Sequence, residues 1–191
     1  MGLNDAVHWS ADLGGGTRVA LVQAGTFRSD AGAIFGPAPR VLWGKLVADE
    51  LDDQHRVLQA LNCLLIETPS GRVLVETGIG ERLDERGRTW RGLAGEPIVP
   101  TLERAGFDPS SVDIVAMSHL HYDHAGGLLR ADGTRAFARA RIVASYDQPE
   151  LRLVRAWGDE GAADGEVELV PGVSAVPTGG HTAGHQAIIV R

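Results

Sequence analysis

Short apolar runs broken by glycine and proline organise this chain. Thr17–Phe27 (TRVALVQAGTF) has the β-branched and apolar make-up of a strand. His55–Glu67 and Arg72–Glu76 read as two more strands, and Thr68-Pro69-Ser70-Gly71 between them carries turn residues, so the pair predicts a β-hairpin. Asp113–Met117 is a short apolar run of the kind covered on both faces of a sheet, and Arg141–Ser145 reads as another strand. Val167–Val170 and Val173–Val176, joined through Pro171-Gly172, and Gln186–Val190 read as the remaining strands. Pro100–Phe107 and Pro149–Trp157 place apolar residues close to helical spacing. Ser29–Leu51 is different: it is rich in Gly, Pro and Ala, with scattered Ile34, Phe35, Val41, Leu42, Trp43 and Leu46. It reads as a long irregular excursion with a short helix near Trp43–Ala48, and loops of that length usually serve a site.

Hairpins mixed with strand–helix–strand units predict a mixed α/β domain rather than a doubly wound parallel sheet. No G-x-G-x-x-G follows a strand and no P-loop is present, which removes the sequence support for a nucleotide fold. The 191 residues suffice for one domain with a real core. A single cysteine, Cys63, excludes an intrachain disulfide and a multi-cysteine zinc site. Eighteen Lys and Arg against 25 Asp and Glu give a formal charge of -7, which argues against a nucleic-acid or anionic-membrane partner. No apolar run reaches transmembrane length, and the start MGLNDAVHWSADLGGG has neither a basic nor an apolar leader region. A cytoplasmic location is the expectation. Trp9, Trp90 and Trp157 are expected to pack in the core or against loops.

The chemistry lies in the histidines. Five of the seven fall in two short segments, His119-Leu120-His121-Tyr122-Asp123-His124 and Gly180-His181-Thr182-Ala183-Gly184-His185. His119 and His121 leave the end of a buried strand two positions apart, so on an extended chain both imidazoles point to one side. Asp123 and His124 follow where the chain turns, with Gly126 and Gly127 allowing a close backbone approach. A short helix starting near Asp123 would set its N-terminal amides beside that carboxylate. Nitrogen and oxygen donors without thiolate suit Zn²⁺, and also Fe or Mn. The second segment can bring another imidazole to the same sheet edge; residue chemistry alone leaves open whether His181 or His185 is the ligand.

SHLHYDHAGG resembles the H-x-H-x-D-H signature of the metallo-β-lactamase superfamily. TGGHTAGHQ resembles the next signature, usually T-P-G-H-T-x-G-H, and VLVETGIG resembles the preceding strand motif, usually written with D-T-G. The three occur in family order. AIFGPAPRVLWGKL is further similar to a lactonase-like, quorum-quenching branch. The resemblance implies an αββα sandwich. It implies that His119, His121 and His181 bind one metal, that Asp123 and His124 contribute to a second, and that His185 supports from the loop. Glu76 stands where the family has Asp; it would orient a ligand or cap the Thr77–Gly80 turn. His121 stands where the redox di-iron branch has Glu, which points to hydrolysis.

The resemblance also implies that 1–191 is a single such domain lacking its C-terminal part, because the family supplies a bridging Asp and a last His beyond this motif. A missing segment or a second chain would then complete the fold, and a homodimer is compatible with it. The expected activity is metal-dependent hydrolysis of a small-molecule ester or lactone, such as an acyl-homoserine lactone. One or two zinc ions (or Fe or Mn) would ionise the attacking water, and Asp123 would carry the proton. Tyr122 would line the pocket or pack beside the site, and Phe35, Leu42 and Trp43 would either wall an acyl cleft or pack the excursion onto the sheet. A glyoxalase-II-like thioesterase and a non-catalytic metal-binding fragment are the alternatives.

Overall fold

In the computed structural model, residues 6–144 and 165–191 are described. The first sheet has six strands in chain order: β1 (Val7–Gly14), β2 (Thr17–Asp30), β3 (Arg56–Thr68), β4 (Gly71–Val75), β5 (Ile114–Ala116) and β6 (Arg141–Val143). Neighbours are antiparallel from β1 to β4 and parallel from β4 to β6. The expected hairpin is present, with Leu64 opposite Val75 and Thr68 opposite Gly71. Parallel pairing needs a crossover, and α4 (Ile98–Arg104) lies in the one that joins β4 to β5. A second sheet of three antiparallel strands follows: β7 (Val167–Val170), β8 (Val173–Pro177) and β9 (Gln186–Val190).

Side-chain alternation explains why the β5 and β6 runs are continuously apolar. Leu74, Val115, Met117 and Ile142 point into one core with Val22, Leu65 and the α4 residues Ile98 and Leu102. Val73, Ile114, Ala116 and Val143 point to the opposite face, against Leu169, Val173 and Ala175 of the second sheet. Both faces of these strands are therefore covered, giving helix, sheet and sheet in layers. Among the described residues, burying eleven large apolar side chains almost completely, Leu65, Leu74 and Ile142 among them, supplies the drive for this arrangement.

β2 runs past Phe27 to Asp30 because a bulge lies between Gln23 and Thr26. Gly25 has φ 94, and a Cβ there would lie 2.4 Å from the Ala94 carbonyl oxygen, so only glycine fits. The extra residue brings Val22, Ala24 and Phe27 into the same core.

Several elements differ from expectation. β1 was not anticipated; it is a mostly exposed edge strand, paired on one side only, so it has little apolar signal. The excursion holds α1 (Ala31–Phe35) and α2 (Arg40–Trp43), the latter ending where a helix was expected to begin, between Pro39 and Gly44. Phe35 and Trp43 stack with ring centroids 4.4 Å apart, and Trp43 is buried with Ala31 and Val57. These rings pack the excursion onto the sheet rather than wall a cleft. The charged segment after Gly80 contains α3 (Glu85–Trp90), capped by Asp84 accepting the Gly87 amide at 2.7 Å. Trp9 and Trp90 are exposed, not core residues. The helix expected over Pro149–Trp157 lies outside the described residues. Among the described residues no helix is long and apolar enough to cross a membrane.

Candidate metal centre

The site forms at the carboxyl ends of β4 and β5, which run parallel and leave the sheet along the same edge. Glu76, directly after β4, has φ 68, a left-handed conformation that a non-glycine residue adopts only when its surroundings hold it there. Its amide donates to the Ala116 carbonyl at 3.1 Å. Its Oε1 accepts the Ser118 amide at 2.8 Å, and its Oε2 lies 3.0 Å from His124 Nδ1. The carboxylate thus faces the Ser118 amide and the His124 ring rather than the amides of the Thr77–Gly80 turn.

The Thr77–Gly80 loop then lies against the backbone after the histidines. The Thr77 amide and hydroxyl donate to the His124 carbonyl at 2.9 and 2.7 Å. A Cβ on Gly127 would fall 2.1 Å from the Thr77 carbonyl oxygen, so the glycine pair is what permits the approach. His121 takes the N-cap position of α5 (Tyr122–Ala125), with Asp123 in the first turn, as the sequence suggested.

Three imidazoles converge. His119 Nε2 is 3.1 Å from His121 Nδ1, and His181 Nε2 is 3.0 Å from that same atom. One nitrogen from each of the three lies within 4.8 Å of the others. A ring nitrogen offers either one lone pair or one N–H, so His121 Nδ1 cannot make two good hydrogen bonds at once. Three lone pairs aimed at one cation resolve the conflict. Tetrahedral zinc with bonds of about 2.0–2.1 Å requires nitrogens about 3.3 Å apart, close to the two separations that meet at His121 Nδ1. The donor set fits such an ion.

His119 is the buried member of the group and the centre of the cluster. Its ring centroid lies 4.6 Å from that of His121, 4.0 Å from His124, 4.8 Å from His181 and 5.4 Å from His185. Burial, and then the neighbouring His124 and His121, push its pKa down to about 4, so it is neutral and available as a ligand at neutral pH. Ser118 Oγ sits 2.9 Å from its Nδ1 and fixes the ring from behind. For His124, burial opposes protonation, but the Glu76 hydrogen bond and charge, joined by Asp123, outweigh it and raise the pKa.

Asp123 and His124 lie beside this triad, with Asp123 Oδ2 3.5 Å from His124 Nε2. His185 is turned to Thr178, whose Oγ1 lies 2.7 Å from His185 Nδ1. Tyr122 is exposed, packs edge-on to Phe27 at 6.5 Å and carries the Arg91 guanidinium 4.5 Å above its ring. Sequence reasoning missed Ser118, Arg91 and Gln186. Only Gln186 left a trace, as the one polar residue opening an otherwise apolar strand.

The family model of the metallo-beta-lactamase superfamily matches residues 58–191. The chain belongs to this superfamily. An N-acyl homoserine lactonase of Bacillus cereus is 30% identical over 150 residues, covering 68% of this chain and 57% of that protein. A probable metallo-hydrolase of Mycobacterium tuberculosis is 33% identical over 164 residues, covering 69% and 53%. The chain thus spans little more than half the length of these relatives. Among solved structures, a probable metal-dependent hydrolase from Staphylococcus aureus superposes with a TM-score of 0.79 at 27% identity, covering 93% of this chain and 69% of that one. An N-acyl homoserine lactone hydrolase with N-hexanoyl-L-homoserine bound at its catalytic metal centre gives 0.65 at 26%, covering 90% and 69%.

Proposed function

We propose that this chain carries the metal site of a hydrolase that opens an ester or lactone, with N-acyl homoserine lactones as the first substrate class to test. The observation that carries the reading is the convergence of one nitrogen each from His119, His121 and His181. The similarity to lactonases supports the substrate class. His119, His121 and His181 would hold a zinc-type ion, with iron or manganese as substitutes, and Asp123 and His124 would contribute to a second. When bound, the ion supplies Lewis acidity, bringing water close to neutral pKa and polarising a carbonyl.

The chain's own residues do the rest. Ser118 and Glu76 hold the imidazoles of His119 and His124 in orientation. Asp123 Oδ2 carries the proton from the attacking water to the leaving oxygen. Tyr122, fixed by Arg91 and Phe27, forms a wall of the substrate pocket. The test is metal analysis of the purified chain and of His119→Ala and His181→Ala, with hydrolysis assays on acyl lactones, thioesters and simple esters. Metal is expected in the parent and lost from both variants, with lactones turned over fastest. Equal metal content in all three proteins would overturn the reading.

A further inference from the structure

We infer that Gln186 is a positioning residue: it sets the spacing between the two histidine-bearing segments and thereby the affinity for the cation. This rests on the metal-site reading above. The triad comes from two different places, His119 and His121 after β5 of the first sheet and His181 in the loop between β8 and β9 of the second. Something must hold those places in register to a fraction of an ångström, because metal–nitrogen bonds tolerate little more.

Gln186 opens β9, pairs with Pro177 across the base of the His181 loop, and is completely buried. Its backbone amide donates to the Ser118 carbonyl at 2.8 Å. Its side-chain Nε2 donates to the Met117 carbonyl at 2.7 Å. Met117 and Ser118 are the two residues immediately before His119. Their amides go elsewhere, Met117 to the Val143 carbonyl at 2.9 Å and Ser118 to Glu76 Oε1 at 2.8 Å. All four main-chain polar groups ahead of His119 are therefore satisfied, two of them by this one glutamine. The same residue closes the loop that presents His181, so it grips both halves of the triad.

Gln186 Oε1, by contrast, is buried and has no hydrogen-bond partner among the described residues. An apolar side chain of similar size would fill the place without leaving an oxygen unpaired. What glutamine adds is the Nε2 donor on Met117, and that donor acts on the approach to His119.

The test measures zinc affinity by competition with a chromophoric chelator, and thermal unfolding of the metal-free protein, on the full chain. The variants are Gln186→Met, Gln186→Asn, whose amide is one methylene too short, and Val190→Ala as a packing change on the same strand. Removing groups that orient ligands typically costs 10–100-fold in metal affinity. Both Gln186 variants are expected to bind zinc about 10–100-fold more weakly, with saturating zinc restoring full occupancy. Val190→Ala is expected to lower the unfolding temperature with unchanged affinity. Should Gln186→Met fail to fold, Gln186→Asn decides. Zinc binding by the parent with unchanged affinity in the Gln186 variants overturns this inference alone. A parent that takes up no zinc overturns the metal-site reading, and this inference with it.

Discussion

The Glu76 carboxylate faces His124 Nδ1 at 3.0 Å, across 48 residues of chain. An ionised carboxylate can only accept, so His124 Nδ1 carries the hydrogen; in the neutral ring Nε2, 3.5 Å from Asp123 Oδ2, then keeps the lone pair. Glu76→Gln removes that logic. An amide can keep the Ser118 contact or the His124 contact in its present sense, but not both. If it donates to Nδ1, the hydrogen moves to Nε2 and the lone pair is lost. A fall of about 10–100-fold in metal-dependent activity is expected. Nitrogen-detected NMR of the neutral ring should report hydrogen on Nε2 in the variant and on Nδ1 in the parent; the same tautomer in both, with the Ser118 amide still hydrogen-bonded, would refute the argument.

Gly127→Ala tests the backbone-to-backbone contact that brings the Glu76 loop to the histidines. The new Cβ would lie 2.1 Å from the Thr77 carbonyl oxygen and 3.0 Å from the Thr77 Cβ, and neither is the end of a flexible side chain. The loop must move, breaking the two bonds from Thr77 to His124. The expected loss is about 3 kcal/mol, the upper part of the range for overpacking a well-filled site. Denaturant unfolding reads it directly. Gly106→Ala, where a Cβ would meet nothing within 4 Å but φ is 85, serves as a comparison for backbone strain alone.

How much of this was legible depends on what each residue touches. The strands β3 to β6 and the H-x-H-x-D-H segment were readable because their signals are local: apolar runs, a turn and clustered ligand types. β1 and α3 were not, because an exposed edge strand and a surface helix with no buried residue carry no apolar period. Asp84, three residues before the glycine whose amide it caps, was the one local trace of α3. Glu76 was visible only as an acid at a family position; its grip on Ser118 and His124 arises from the β4–β5 pairing. Gln186 acts on Met117 from 69 residues away, and no local pattern encodes that distance.

Arg91 and Tyr122 give a prediction about the proposed pocket wall. The guanidinium lies 4.5 Å from the Tyr122 ring centroid and 5.1 Å from that of Trp90. Such contacts contribute about 0.5–1 kcal/mol at partly exposed sites. Arg91→Met keeps the aliphatic bulk and removes the cation. A stability loss of that size is expected; on the proposed acyl-lactone hydrolysis it comes with a several-fold rise in KM for long-chain substrates and little change in kcat. A fall in kcat with unchanged KM would place Arg91 in the chemical step instead.

Asp52 makes the entry to β3 sensitive to acid. Its Oδ1 accepts the Gln54 and Arg56 amides at 3.0 and 2.9 Å, and its Oδ2 takes Arg56 Nε and a terminal guanidinium nitrogen, each at 2.8 Å. The Arg56 amide is the largest influence and lowers its pKa; desolvation comes next and opposes it, but the Arg56 side chain and the Gln54 amide add to the lowering and keep it below the ordinary carboxylate value. A folded-state pKa below the unfolded one means the stabilisation is complete above about pH 3.9 and is lost as pH falls through the folded value. The neighbouring His55, at φ 57, donates its amide to the Asp52 carbonyl at 2.8 Å, so the turn depends on this residue twice. Asp52→Asn is therefore expected to lower the melting temperature at pH 7. The gap to the parent should narrow steadily below pH 4, because the protonated parent then resembles the variant. Melting curves of the two proteins between pH 2.5 and 7 check this, and a gap that stayed constant across the range would assign the loss to side-chain geometry instead of charge.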